Sequence, residues 1–143
     1  MAVDLWIGTA MIAASVCIHT LGLIALTRVL SRLIAWLRLH QGWGRTVAMM
    51  FAVLGLFAIL TVEIWGWAGC YVVLGVVPDI ETALYFSTTT FSTVGFGDIV
   101  PGQRWRILAA LEGVDGFLLI GWSTAYLVSA GTRIGPFRIG EHF

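Results

Sequence analysis

The sequence predicts an all-α membrane protein: three transmembrane helices, with a short helix and loop between the second and third that enter the membrane and return on the same side. Three observations predict it. Hydrophobic residues make up 59% of the 143 positions and charged residues 11%, with a mean hydropathy of +0.92, where soluble domains carry about 25% charged residues. Three apolar runs reach the roughly 20 residues a helix needs to cross a bilayer. Between the last two lies a polar stretch, TTTFSTVGFGDIVP, at residues 88–101.

The first run covers residues 5–27. It follows Asp4 with no positive residue before it, which argues against a cleaved leader. The second covers 46–68 and the third 107–130. Arg28, Arg32, Arg38 and Arg45 fall in the predicted loop between the first two helices, and Arg133 and Arg138 follow the third. Against Arg104 and Arg106 on the opposite side, the positive-inside rule makes the first group cytoplasmic and the N-terminus extracellular or periplasmic, in a multi-pass protein of the cell (inner) membrane. Trp6, Trp36, Trp43, Trp65, Trp67 and Trp105 sit near predicted helix ends, as an interfacial aromatic belt requires. The division predicted is an N-terminal helix and Arg-rich loop (1–45), a central unit (46–130) and a short cytoplasmic tail (131–143).

Within the central unit, Pro78, a capping Asp79 and Glu81 in the first turn start a helix over 80–92. That helix is too short to span, so the chain must dip in and return. Non-helical backbone at membrane depth survives only where protein buries it or a water-filled path lines it.

Six of the seven residues from Ser87 to Thr93 carry hydroxyls, and Thr93-Val94-Gly95-Phe96-Gly97-Asp98 follows. Glycine enters left-handed backbone conformations that L-residues avoid. If Gly95 and Gly97 do so while Val94 and Phe96 do not, successive carbonyls turn to one side and form a ladder of oxygens for a dehydrated cation. One chain supplies one edge of each ring, so closure requires rotational symmetry.

TVGFGD after a hydroxyl-rich short helix resembles the pore loop of potassium channels, with Phe where TVGYG has Tyr. The resemblance covers outer helix (46–68), pore helix (80–92), filter (93–98) and inner helix (107–130). It implies a homotetramer in membrane lipid that passes potassium ions down their gradient. Thr93, Val94, Gly95 and Phe96 would coordinate K+, Gly97 would complete the filter backbone and Asp98 would sit at its mouth. Ser87, Thr89, Thr90 and Ser92 would support the filter from behind. Phe96 lacks the hydroxyl that ties the filter to the pore helices in many relatives, Tyr85 and Phe86 stand where many carry tryptophan, and Thr89 stands where some place a glutamate. Those departures imply a looser cuff. They leave open a weakly selective cation channel, or a non-conducting partner subunit that keeps the fold.

Ionisable groups inside membrane helices are functional suspects. Glu63 lies near the outer end of the second helix, and Glu112 and Asp115 in the third share a face that continues to Leu118. Glu112 is expected behind the pore helix against hydroxyls such as Thr89, and Asp115 in a ring below the filter; the alternative for both is a protonated or hydrogen-bonded structural group. Gly116 is placed either at a bend of the inner helix or at a close packing contact. His19 stands alone on the first helix and is expected to hydrogen-bond to a neighbour. Cys17 and Cys70 form no disulfide framework or metal pair. No catalytic acid-base pair, cofactor motif, small-molecule site or nucleic-acid-binding basic face is found, and no enzyme is expected.

Overall fold

A computed structural model describes residues 2–37 and 42–133; Arg38, Arg138 and most of the predicted tail lie outside the described residues. The described residues form four α-helices: α1 (Ala2–Leu37), α2 (Gly42–Val73), α3 (Ile80–Phe91) and α4 (Arg106–Arg133), the last entered through a 3-10 turn, Gln103–Trp105. Three of them, α1, α2 and α4, are long and apolar enough to cross a membrane.

Helix α1 runs about ten residues beyond the predicted span, so Arg28 and Arg32 belong to its final turns and not to a loop. The reason is local. No glycine or proline interrupts 28–37, and Leu30 is buried against Ala48 and Ala52 of α2, with Ile34 and Leu127 beside them. Helix α2 likewise continues past Ala68 and ends in a Schellman motif. The Val76 N–H donates to the Tyr71 carbonyl at 2.9 Å and the Gly75 N–H to that of Val72 at 3.1 Å, with Gly75 at φ 65°, a left-handed position that a side chain would strain.

Helix α3 starts as its sequence requires. The Asp79 carboxylate accepts from the Thr82 N–H and hydroxyl, both at 2.8 Å, and these bonds hold its pKa below the usual carboxylate range. Its 12 residues reach about 18 Å, short of a membrane core.

Contacts fix the helix directions. His19 meets Glu63 and Gly22 meets Ile59, so α1 is antiparallel to α2. Gly8 lies on Leu108 and Leu111 and Thr27 on Tyr126, so α1 is parallel to α4. The C-terminus of α2 and the N-terminus of α4 therefore share one end of the bundle, and α3 with its return segment leaves from and comes back to that end. The main core fills this end, with Trp67, Tyr71, Phe86, Phe91, Leu108 and Leu119 buried together. Tyr71 and Phe86 meet edge to face, 5.1 Å between centroids.

Candidate functional site

The segment after α3 alternates in hand. Thr93, Gly95 and Gly97 have φ of 62°, 53° and 78°, while Val94 and Phe96 between them do not enter the left-handed region. Such alternation can turn successive carbonyls to the same side, which a strand of uniform hand cannot do. Thr93 is the costly member, since a β-branched residue at positive φ is an outlier that stores roughly 1–3 kcal/mol. Bonds to the end of α3 hold it: the Thr93 N–H donates to the Thr90 carbonyl at 3.0 Å and the Gly95 N–H to that of Thr89 at 2.9 Å. Residues 93–98 are all exposed in the single chain, Phe96 by 70%.

The hydroxyls divide by direction. Ser92 caps α3, its Oγ donating to the Thr88 carbonyl at 2.6 Å. Thr89 bonds back to the Phe86 carbonyl at 3.0 Å, and Thr90 serves through its backbone. Ser87 is fully buried and points out of α3 into α2 and α4, meeting the Ile64 carbonyl at 3.0 Å and Glu112 Oε1 at 2.5 Å.

Glu112 does stand behind α3, yet its partners are Ser87 and the Tyr71 hydroxyl, which donates to Oε2 at 2.5 Å. Thr89 is not among them, because it sits two residues and about 200° around α3 from Ser87. Asp115 departs from the cavity-ring expectation and matches its alternative, a hydrogen-bonded structural group. Its side chain is buried between helices, accepting from Trp67 Nε1 at 3.0 Å and hydrogen-bonding with Ser15 of α1. It does not face an open cavity. Trp67, expected in an aromatic belt, is wholly buried, since a carboxylate inside the bundle holds its N–H. Leu118 departs from the face of Glu112 and Asp115 and is exposed with Val114 and Phe117. Gly116 is a packing contact: a Cβ there would overlap the Phe91 carbonyl, so the end of α3 rests directly on α4.

Three partners escaped sequence reasoning. Tyr71 and Trp67 lie four apart on α2, and Glu112 and Asp115 three apart on the antiparallel α4; these matched polar rungs were the available signal. Tyr85 is the third. Its hydroxyl donates to Asp98 Oδ2 at 2.7 Å, joining the middle of α3 to the end of the glycine segment and holding the Asp98 carboxyl below the usual range. Farther along the bundle, His19 Nδ1 is 2.9 Å from Glu63 Oε1, both side chains fully buried, and the imidazole stands 5.3 Å from the Trp122 ring.

A family model described as "Ion channel" matches residues 57–133, just over half of the chain. Among curated proteins, the chain is similar to potassium channel subfamily K member 12 of Rattus norvegicus and of Homo sapiens. Each is 36% identical over 71 residues, which cover 44% of this chain and 14% of the relative. No solved structure matches the chain. The matched region holds most of α2, all of α3, the glycine segment and α4, so the chain belongs to this ion channel family, as a pore-domain protein and not an enzyme.

Proposed function

We propose that the chain is one subunit of a homotetrameric potassium channel. Potassium ions pass in single file between the carbonyls of Thr93, Val94, Gly95 and Phe96, while Gly97 completes the filter backbone and Asp98 stands at the outer mouth. The observation that carries the proposal is the alternation of left-handed φ at Thr93, Gly95 and Gly97. The exposure of residues 93–98 in one chain supports it, because a symmetric assembly covers that surface and faces it to a pore. So does α4, whose exposed Ile107, Val114, Phe117 and Val128 fall at a/d spacing of a heptad, a seam for neighbouring subunits.

In this reading α3 and its return segment form a re-entrant loop, with the C-terminal dipole of α3 favouring a cation beneath the filter. Residues 46–130 are the pore unit and α1 is an added helix on its own subunit. The position of Arg28, Arg32, Arg45 and Arg133 at the end away from the filter supports a cytoplasmic side for that end and an N-terminus outside.

The test is flux from purified protein in liposomes under potassium or sodium gradients. Potassium-driven flux with sodium excluded, blocked by barium, is the expected result. Equal passage of both ions would establish instead a weakly selective cation channel, the reading favoured by Phe96, which brings no hydroxyl to the filter. Absence of flux with no barium effect would leave a non-conducting partner subunit.

A further inference from the structure

Polar side chains inside a membrane bundle join helices by hydrogen bonds between them, and two levels of this chain do so. Toward the filter end, Asp115 of α4 accepts from Trp67 Nε1 of α2 at 3.0 Å and hydrogen-bonds with Ser15 of α1. Toward the end that carries Arg28 and Arg133, Thr27 of α1 meets Tyr126 of α4 at 3.0 Å. The level between them is different, because it holds more polar atoms than contacts.

His19 of α1, Glu63 of α2 and Ser123 of α4 are 0%, 1% and 5% exposed. The 2.9 Å contact of His19 Nδ1 with Glu63 Oε1 holds one hydrogen. Beyond it, His19 Nε2, Glu63 Oε2 and Ser123 Oγ are buried and hydrogen-bond to none of the described residues. The three atoms belong to one junction. The His19 ring stands 5.3 Å from that of Trp122, Ser123 is the next residue of α4, and it shares the interior face of that helix with Asp115 and Leu119 at four-residue spacing.

Buried polar atoms are as a rule hydrogen-bonded, and the hydrocarbon around a membrane bundle offers them nothing. The donor set chooses the ligand. A carboxyl oxygen, an imidazole nitrogen and a hydroxyl together call for a molecule that both donates and accepts hydrogen bonds. An anion would face Glu63 and also Asp115, which is close enough to Glu63 to act on its charge. A metal ion would need several His, Cys, Asp or Glu side chains in one cluster, and the described residues hold no such group of three. Water is neutral and small, and at buried sites it makes about three hydrogen bonds.

We propose that His19, Glu63 and Ser123 bind internal water at the junction of α1, α2 and α4. The water serves the sides of the His19–Glu63 pair that protein leaves bare, and it ties α4 to a contact that otherwise joins α1 to α2. The site rests on the packing of the three long helices and not on conduction, so flux through the filter neither supports nor refutes it.

The experiment is water-edited solid-state NMR on the full, isotope-labelled chain in lipid bilayers, reading how fast polarisation passes from water to each side chain. The His19 ring is assigned by its loss in His19→Gln. Leu30, buried in one cluster with Ala48 and Ala52, is the dry reference. The expected result is rapid transfer to the His19 ring and to the Ser123 side chain, with none to Leu30. Ser123→Ala takes away one hydrogen-bonding partner, and Ser123→Val also puts methyl groups into the space. Transfer to the His19 ring is expected to drop in the first and to be lost in the second, while circular dichroism verifies that both keep their helix content. A His19 ring as dry as Leu30 in the unaltered protein would overturn the site. So would transfer that neither variant lowers, since the water would then stand clear of Ser123.

Discussion

The contacts around Glu112 contain a proton count that can be tested. Two hydroxyls, of Tyr71 and Ser87, reach three acceptors: the two carboxyl oxygens of Glu112 and the Ile64 carbonyl. An ionised carboxylate would force the single Ser87 proton to serve both Glu112 and Ile64. A protonated carboxyl gives every contact its own hydrogen: Glu112 donates to Ser87, Ser87 donates to Ile64, and Tyr71 donates to Glu112. Glutamine reproduces that pattern, its NH2 donating to Ser87 and its oxygen accepting from Tyr71. Glu112→Gln is therefore expected to hold stability within about 1 kcal/mol, the worth of a single hydrogen bond. Glu112→Ala strands the buried Tyr71 hydroxyl at about 1–3 kcal/mol, while Ser87 keeps its bond to the Ile64 carbonyl, and it leaves a cavity besides, for a loss of roughly 3–5 kcal/mol in total. The assay is thermal unfolding of the detergent-purified protein followed by chromatography, paired with thallium flux in liposomes. A Gln variant as damaged as the Ala variant would show that the site requires a charge, and the proton count would be wrong.

Gly116→Ala should destabilise by roughly 1–3 kcal/mol, because its methyl displaces the Phe91 carbonyl; a melting temperature equal to that of the unaltered protein would refute the contact. Asp115→Asn keeps an oxygen for Trp67 and should leave block by internal polyvalent cations unchanged, whereas a ring of acids below a filter would lose that block. Tyr85→Phe removes the side-chain bond on Asp98 and should speed the decay of potassium flux during sustained conduction. Acid should imitate it. The folded Asp98 value lies below the unfolded one, so the tie is complete above the unfolded value of about 3.9 and fades as pH falls through the lower folded value. Decay that is equally fast in both proteins at neutral pH, or no approach of the unaltered protein to the variant in acid, would remove Asp98 from the mouth.

The three long helices were legible because length and hydropathy report directly on a bilayer-crossing segment. Helix α3 was legible from Asp79 and Glu81, since caps act within one turn. The departures share one cause: they depend on which helices face each other. Trp67 reads as a belt residue by position and Asp115 as a cavity acid by depth. Only the antiparallel pairing of α2 and α4 makes them partners. Arg28 and Arg32 read as loop because charge is a boundary signal, while Leu30, buried in one cluster with Ala48 and Ala52, carries the helix past them. Gly116 reads equally well as a bend or a contact until the Phe91 carbonyl is known to lie on it.

Helix α1 has a consequence for how this chain can be divided. Ser15 meets Asp115 and His19 meets Glu63, so α1 hydrates, with its own side chains, two acids that belong to the pore unit. Without α1 both carboxyls would look onto hydrocarbon, where each acid costs about 2.5–3.5 kcal/mol at the helix centre. A two-helix version of this chain would need those acids replaced at the same time. The added helix is thus a portion of internal solvent, and the pore unit of this sequence is written on the assumption that it is there.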